Sequence, residues 1–281
     1  MKRITDLPED IELKGNDVMP VVDVDANVTK QAKMDTLLKF IIPNNAGAHN
    51  SIYRGKDITN LFYDGTLSKQ ITAGTFDDIF IGDYIIGSTS KKKYLVADIN
   101  YRKRTGYPKE TTQNHVLMIP EVNMGNAKMN ETNITTGAYV GSQMYTTNLN
   151  PFREVIRTDF GVSHILKHCE YFQSATSNGA ASAGQWIENT DIDLMNEPMC
   201  YGSYIFTPKT SVSGSNTQVP NLYTIDKSQL SLFRMRPDLI SNRQWFWLRD
   251  VVSSASFANV RSMVMLIGLL LRVRLVFAPL F

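Results

Sequence analysis

The chain has 281 residues, of which 43% are hydrophobic and 20% are charged, a composition typical of globular rather than disordered proteins. The formal net charge of +2 gives no electrostatic reason to expect nucleic-acid binding, which usually needs a concentrated basic excess. Two short basic runs, 91–93 and 102–104, bracket an apolar stretch and are predicted to be solvated strand ends.

Residues 1–45 are predicted to form a β-rich docking module with a short helix. Strand-like runs at 11–13 and 19–24 flank turn residues, and apolar residues recur at helical spacing from 34 to 42. A unit of about 40 residues cannot bury both faces of such elements alone, so it should pack on another chain. The predicted attachment and oligomerisation residues are Leu13, Val18, Pro20, Val22, Met34, Leu37, Leu38 and Ile41.

Residues 46–135 are predicted to be the β-rich first part of a displayed domain. The small, polar segment 44–51 is predicted to be a flexible linker in front of it. Beyond this linker the sequence predicts two short helices and then an antiparallel meander of three strands. The predicted helices are 57–62 and 65–73, and the predicted strands are 79–86, 94–100 and 114–120.

Residues 136–281 are predicted to be the second part of that domain, with more helix and long polar loops. The sequence favours helices at 153–158 and 163–168, a strand at 186–194, a turn at 196–198 and an exposed loop at 207–221. Tryptophan can stack on sugars, but in a loop-rich domain it is more often buried. The predicted structural core is Trp186, Trp245, Trp247, Arg249 and Asp250, and no receptor-binding residue is identified.

One pair of histidines and one group of carboxylates could in principle bind a metal or act in catalysis, but their spacing is not specific for either role. His164 and His168 stand four residues apart and would share a helix face, but the glutamate of the zinc-protease motif is missing beside the first. Four carboxylates, at Glu188, Asp191, Asp193 and Glu197, are most simply explained as part of a solvated strand, and a calcium site or a glycosidase pair is a less favoured alternative.

No metal, cofactor or catalytic residue is therefore predicted. Cys169 and Cys200 lack zinc spacing, and a disulfide between them is possible but not implied.

The stretch "ITDLPEDIELKGNDVMPVVDVDANVTKQAKMDTLLKFI" resembles the attachment segment of many bacteriophage tail-fibre and head-fibre proteins. The resemblance implies that this module attaches the protein to a virion and that the chain assembles as a homotrimer. The matching features are Leu7-Pro8, the turn at 15–17, "PVVD" at 20–23, Thr29-Lys30 and the closing helix "DTLLKFI".

Residues 52–260 resemble a recurrent C-terminal domain of phage structural proteins and bacterial surface proteins. The motifs that carry this likeness include "YRGKDITNLFYDG", "GTFDDIFIGDYI", "FGVSHILKH", "LMNEPMCYG" and "WFWLRDVVSSASFANV". Its C-terminal half is similar in layout to C-type-lectin-like folds, including phage receptor-binding proteins and the formylglycine-generating enzyme. The catalytic cysteine pair of that enzyme has no counterpart here, so its activity is not expected.

The last 21 residues, "RSMVMLIGLLLRVRLVFAPLF", contain no Asp, Glu, Asn or Gln. A membrane-spanning helix needs about 20 mostly apolar residues, and Arg272 and Arg274 interrupt this stretch, so membrane insertion is not expected. In the resembling proteins a polar Gly/Asn/Ser stretch follows instead, which suggests a frame change near residue 260. The segment "VRLVFAPLF" has the alternation of a final β-strand.

Together these features predict an α+β virion fibre or adhesin subunit, not an enzyme, with no cofactor. Its expected partners are other copies of the chain, capsid, tail or baseplate proteins, and a host cell-surface glycan or protein. One alternative is a purely structural head-fibre or baseplate protein without receptor binding, and a less favoured one is a carbohydrate-active enzyme. A bacterial surface protein is disfavoured because "MKRITDLPED" is no signal peptide.

Overall fold

Short helices and several small antiparallel sheets make up the described chain, which confirms the predicted α+β, loop-rich class. Leu13, Leu38, Ile41 and the predicted loop 207–221 lie outside the described residues, as does the predicted run 11–13. The computed structural model describes residues 17–34, 36–37, 45–106, 108–172, 176–177, 180–181, 185–203, 205, 229–240, 245–260 and 273–277.

The N-terminal module contains a two-stranded antiparallel hairpin. Strand β1 (Val18–Asp23) was predicted, and it pairs with β2 (Val28–Lys33), which was not. The sequence of β2, "VTKQAK", lacks the alternation of apolar and polar residues from which a strand is normally recognised. Met34, Thr36 and Leu37 follow in helical conformation at the start of the predicted helix.

The predicted linker at 44–51 is wrong from residue 45 onward, because this segment folds onto the domain. Helix α1 (Ala46–His49) begins after Asn45, whose side-chain oxygen accepts a hydrogen bond from the Ala48 amide at 2.9 Å. His49 is buried and stacks on Phe80 with ring centroids 4.4 Å apart. Capping and burial therefore order a segment whose composition alone resembles a linker.

The predicted helices and meander are confirmed, with β3 starting later than predicted. Gly82 and Asp83 form a turn before it, and the Asp83 carboxylate accepts a hydrogen bond from the Phe80 amide at 2.8 Å. The strands pair antiparallel in the order β3, β4, β5. The elements are α2 (Thr59–Tyr63), α3 (Thr66–Ala73), β3 (Tyr84–Ile86), β4 (Lys93–Ile99) and β5 (Val116–Pro120).

The second part of the domain is built from short elements. Helix α4 (Asn150–Phe160) confirms the prediction at 153–158, and the predicted strand 186–194 is interrupted at Asp191. The other elements are a π-helix (Met144–Asn148), 3-10 turns (Val162–His164 and Pro237–Leu239), β6 (His168–Phe172), β7 (Thr176–Ser177), β8 (Ala180–Ala181), β9 (Gln185–Thr190), β10 (Ile192–Leu194), α5 (Glu197–Tyr201), α6 (Ser231–Met235), β11 (Phe246–Ser253) and β12 (Ser256–Val260).

The helix predicted at 163–168 is wrong. Gly161, with φ +81°, ends α4, and a single 3-10 turn follows. The chain then enters β6, which pairs antiparallel with β9. Pairing with a strand from elsewhere in the chain thus overrides the helix-like spacing of "HILKH".

Strand β13 (Val273–Phe277) confirms the predicted final strand. It pairs antiparallel with β5 on one side and β10 on the other, which gives the sheet order β10-β13-β5-β4-β3. The C-terminal strand therefore lies inside the main sheet and joins strands from the two predicted parts of the displayed domain.

One hydrophobic cluster runs through the domain from Ile58 to Val260. Aromatic rings pack edge to face within it: Phe160 lies 5.4 Å from Phe62 and 4.9 Å from Tyr94, measured between ring centroids. None of the helices within the described ranges has the length and apolar character needed to cross a membrane.

Candidate functional site

A groove of about 1090 Å³ opens between the segment 126–134 and the β11–β12 hairpin. Its second wall consists of Trp247, Val252 and residues 255–259. We call it the Trp247 groove. Its volume is slightly above the range of about 300–1,000 Å³ that small-molecule sites usually occupy.

Hydrogen bonds fix the two walls of the Trp247 groove to each other. The Trp247 indole Nε1–H donates to the Ala127 carbonyl at 3.0 Å. Near the end of the hairpin, the Thr135 amide donates to the Ser254 carbonyl at 3.1 Å, and the Thr135 hydroxyl donates to the Ser253 carbonyl at 2.8 Å. The groove is therefore preformed, and its walls are held at both ends.

The segment 126–134 is also braced from behind, although it contains no regular strand or helix. The Asn130 side chain donates to the Ile134 carbonyl at 2.8 Å and accepts from the Gln143 amide at 2.9 Å. Met129 is buried, and its carbonyl accepts from the Met144 amide at 3.0 Å. These contacts order the backbone and leave neighbouring polar side chains exposed.

The groove lining is mainly apolar, and the polar groups along it are electrically balanced. Its described lining carries two charged groups, Lys128 and Glu131, which form an exposed ion pair at 3.2 Å between Nζ and Oε2. Within the described part of the chain, four further polar side chains of the lining hydrogen-bond to no protein group and stay available to a ligand: Asn126, Thr132, Asn133 and Ser256.

The predicted core residues divide into two groups. Arg249 and Asp250 are buried, whereas Trp186, Trp245 and Trp247 are each only partly buried, so the tryptophans are not the centre of the core. The aromatic residue that fills the core in β11 is Phe246, which points to the opposite side from its two tryptophan neighbours. Trp186 contacts Tyr171 edge to face, with ring centroids 5.4 Å apart.

Arg249 belongs to a buried charge cluster centred on Glu170, which sequence inspection did not find. The Glu170 carboxylate pairs with Arg102 and lies 2.5 Å from Arg249 Nη1 and 3.0 Å from His168 Nε2. Arg102 was predicted to be a solvated strand end and is only 2% exposed, so that prediction is wrong. Glu170 contacts both guanidinium groups, and this attraction offsets part of the cost of burying them.

His115 lies beside this cluster as a neutral imidazole. Its Nε2 accepts a hydrogen bond from the Arg102 backbone amide at 2.9 Å, so Nδ1 carries the proton and donates to the Gln113 carbonyl at 3.0 Å. Burial lowers the pKa of His115 to about 3, and the nearby His168 and Arg102 disfavour the charged form further. The ring is thus a structural connector.

The histidine pair predicted to share a helix face does not do so. His164 ends a 3-10 turn with its ring edge against Phe62, whereas His168 begins β6 and is buried beside Glu170. Among the described residues, no group of three or more His, Cys, Asp and Glu side chains is placed to hold a metal ion. Cys169 and Cys200 are both buried free thiols.

The four candidate carboxylates each contact a different group. Asp193 accepts from the Tyr139 hydroxyl at 2.7 Å and pairs with Arg153 at 3.0 Å, and burial raises the pKa of Tyr139.

The remaining three carboxylates do not lie around one cleft either. Asp191 pairs with Arg157 at 2.8 Å, and Glu188 forms a surface pair with Lys109 at 2.7 Å. The buried Glu197 accepts from the Ile205 amide at 2.5 Å. None of the four lines the Trp247 groove, and each balances a local donor or cation.

The predicted attachment residues of the hairpin lie on one face. Val18, Pro20 and Val22 alternate along β1 and therefore point to the same side, with Val18 49% and Val22 66% exposed. The opposite face also exposes Met19 and Val21. Met34 and Leu37 are partly buried at the start of the following helix.

Comparison of the chain with protein-family models, with curated proteins and with solved structures gives no match. The likeness to phage fibre proteins and to C-type-lectin-like folds therefore stays a prediction from sequence.

Proposed function

We propose that the chain is a virion fibre or adhesin subunit, anchored by its N-terminal module and displaying a host-surface-binding domain. The observation that carries the proposal is the β1–β2 hairpin, whose apolar side chains are exposed on both faces in front of a well-packed domain. Such an arrangement is what a docking segment requires before it meets its partner.

An isolated two-stranded hairpin is marginally stable in water, because it has no hydrophobic face to bury. Contiguous exposed apolar residues on a soluble protein usually mark an interaction site. The hairpin exposes Val18, Met19, Val21, Val22, Val24 and Val28. Its natural state is therefore an assembled one, with other copies of the chain in a homotrimer and with capsid, tail or baseplate proteins.

The displayed domain has the properties of a rigid binding head. Its buried carboxylates are engaged by arginine, tyrosine or backbone donors, and the preformed Trp247 groove opens on its surface. Three copies on one fibre would bind a repetitive host surface multivalently, so that weak single sites give strong attachment.

The same contacts favour binding over catalysis. A glycosidase needs two carboxyl groups that face one another across the substrate, one of them with a raised pKa. Here Asp193, Asp191 and Glu197 are held by Arg153, Arg157 and the Ile205 amide, and each stabilises the fold. The proposed subunit is non-enzymatic and requires no cofactor.

Immunogold labelling of phage particles that encode the chain tests the proposal, with antibody raised against the full chain. Gold at the tail tip is expected for a receptor-binding fibre, and gold around the capsid is expected for a head fibre. Particles from a deletion of the gene are the control and should carry no gold. Equal, background labelling of both preparations would overturn the virion assignment.

A further inference from the structure

The Trp247 groove combines an aromatic side chain, free amides and hydroxyls, and a balanced charge. From this combination we propose that it is the receptor site and that it binds a neutral oligosaccharide of the host surface. The inference rests on the proposed adhesin function and adds to it the location of the site and the class of ligand.

The polar side chains supply the hydrogen bonds that a sugar needs. A sugar ring presents several hydroxyls, each of which both donates and accepts, and an amide side chain has both capacities too. Asn126 and Asn133 expose such amides on one wall, and Ser256 exposes a hydroxyl on the other. A ligand between the walls would therefore be contacted from both sides.

Trp247 supplies the apolar surface that the C–H face of a sugar ring requires. Its indole lines the groove, and its Nε1–H is already committed to the Ala127 carbonyl at 3.0 Å. This hydrogen bond fixes the ring plane before any ligand arrives, so little side-chain entropy is lost on binding. An aromatic group held in this way beside amide groups is typical of preformed ligand sites.

Charge selects among ligands of similar size. Lys128 and Glu131 neutralise one another, and the other described lining residues are uncharged. An anionic polysaccharide would find one lysine that is already paired, and an acidic or basic peptide would find no concentrated opposite charge. A neutral chain of hexoses or N-acetylhexosamines brings no charge of its own that the groove would have to balance.

The test is isothermal titration of the full chain with hexasaccharides of glucose, mannose and N-acetylglucosamine, with hexagalacturonate as the anionic comparison. Saturable binding of at least one neutral hexasaccharide is expected. The double variant Asn126→Ala/Asn133→Ala should weaken it by about tenfold or more, because each amide contributes a hydrogen bond of modest net strength. Both side chains are exposed, so the variant should unfold at the wild-type temperature.

Matched controls separate the groove from the rest of the surface. Asn60→Ala removes an exposed amide on α2, outside the groove, and should leave the affinity unchanged. Trp247→Phe should weaken binding, whereas Trp186→Phe, which changes a partly exposed tryptophan outside the groove lining, should not.

Several results would overturn the inference: no binding of any neutral hexasaccharide, binding only of hexagalacturonate, or binding that the groove variants leave unchanged.

A parallel measurement of full-chain binding to host cells separates this inference from the adhesin proposal. If Asn126→Ala/Asn133→Ala leaves cell binding intact, the chain is still an adhesin but the groove is not its receptor site. The same conclusion follows if protease treatment of the cells abolishes binding and periodate oxidation does not. If the groove binds a sugar but the chain does not bind host cells, the sugar site is supported and the adhesin proposal is contradicted.

Discussion

The β1–β2 hairpin and the displayed domain differ in how far their apolar side chains are buried. The hairpin leaves Val22 66% and Val24 84% exposed, whereas the domain buries Phe246, Leu248 and Val251 completely within the same kind of short strand. The strands of both regions contain apolar residues, but within the described part of the chain only those of the domain belong to the hydrophobic cluster. The strands of the domain are packed on their own chain, whereas we propose that the hairpin strands pack on another molecule.

Buried charge sharpens this contrast. The domain buries Glu170, Asp159 and Asp83. The cost of burying these carboxylates is offset because each contacts donors or cations from distant parts of the chain. In the hairpin, by contrast, the lysines Lys30 and Lys33 are exposed. Stability of the domain should therefore depend on individual buried residues, and stability of the hairpin on assembly.

The largest effect is expected from Glu170→Ala. This substitution leaves Arg102 and Arg249 buried without their shared carboxylate and should lower the free energy of unfolding by about 3–5 kcal/mol. Urea unfolding followed by tryptophan fluorescence measures it. The control is Glu121→Ala, which breaks a half-exposed pair with Lys93 and should cost less than about 1 kcal/mol. Equal costs for the two variants would contradict the importance of the buried cluster.

A smaller loss is expected from Asp159→Ala at the end of α4. The carboxylate accepts from the Thr89 and Ser90 amides at 3.0 and 2.8 Å and from the Tyr94 hydroxyl at 2.9 Å. Its removal leaves the buried Tyr94 hydroxyl and two partly buried loop amides without their acceptor and should cost about 2–4 kcal/mol in the same unfolding experiment.

Glu154→Ala, on the exposed side of the same helix, is the matched control and should be nearly neutral. Gly87→Ala should imitate Asp159→Ala, because a Cβ at residue 87 would lie 2.3 Å from the Asp159 Oδ2. A stable Gly87→Ala protein would show that the loop moves freely away from the carboxylate.

Acid should destabilise the domain through His115. Because its pKa falls from an ordinary 6.5 to about 3 on folding, the unfolded chain binds the extra proton between these two values. Stability is therefore fully retained above pH 6.5 and decreases as the pH falls toward 3. The loss attributable to this histidine should be about 2 kcal/mol at pH 5.

The variant His115→Gln, which cannot be protonated, isolates this contribution. The difference in unfolding free energy between pH 7 and pH 5 should be smaller for the variant than for the wild type. His164, whose pKa burial also lowers, remains in both proteins and cancels in the comparison. An unchanged pH dependence would show that His115 is protonated without cost in the folded state.

Local signals in the sequence predicted the elements that are determined locally. Helix α3 lies between Gly65 and Gly74, both in the left-handed region at φ +80° and +73°, so its ends are evident from the glycines. The apolar runs of β4 and β5 predicted buried strands, and "VRLVF" predicted β13. Their order in the sheet, with β13 between β5 and β10, was not predictable from local pattern.

The candidate site was beyond the reach of local pattern because its walls are distant in sequence. Residues 126–134 carry a dense group of asparagines, which was the one signal available, but nothing in them predicts contact with Trp247. In the Glu170 cluster, likewise, the two arginines are distant in sequence, because Arg102 lies far before Glu170 and Arg249 far after it. Spacing predicted His164 and His168 on one helix face, and strand pairing decided otherwise.

The last prediction returns to the hairpin, where the expected change in folding stability is close to zero. Val18→Asp/Val22→Asp places two charges on one exposed face of β1 and removes no intramolecular contact of the domain core. The domain should therefore unfold as in the wild type, within about 0.5 kcal/mol. Self-association, however, should be lost, because an assembly would have to bury unpaired carboxylates.

Light scattering after gel filtration measures the mass of the assembly, with Val122→Asp as the control at an exposed valine of the domain. A variant that keeps the wild-type mass would show that this face of the hairpin is not the assembly surface, and the comparison between a self-sufficient domain and an assembly-dependent hairpin would then fail.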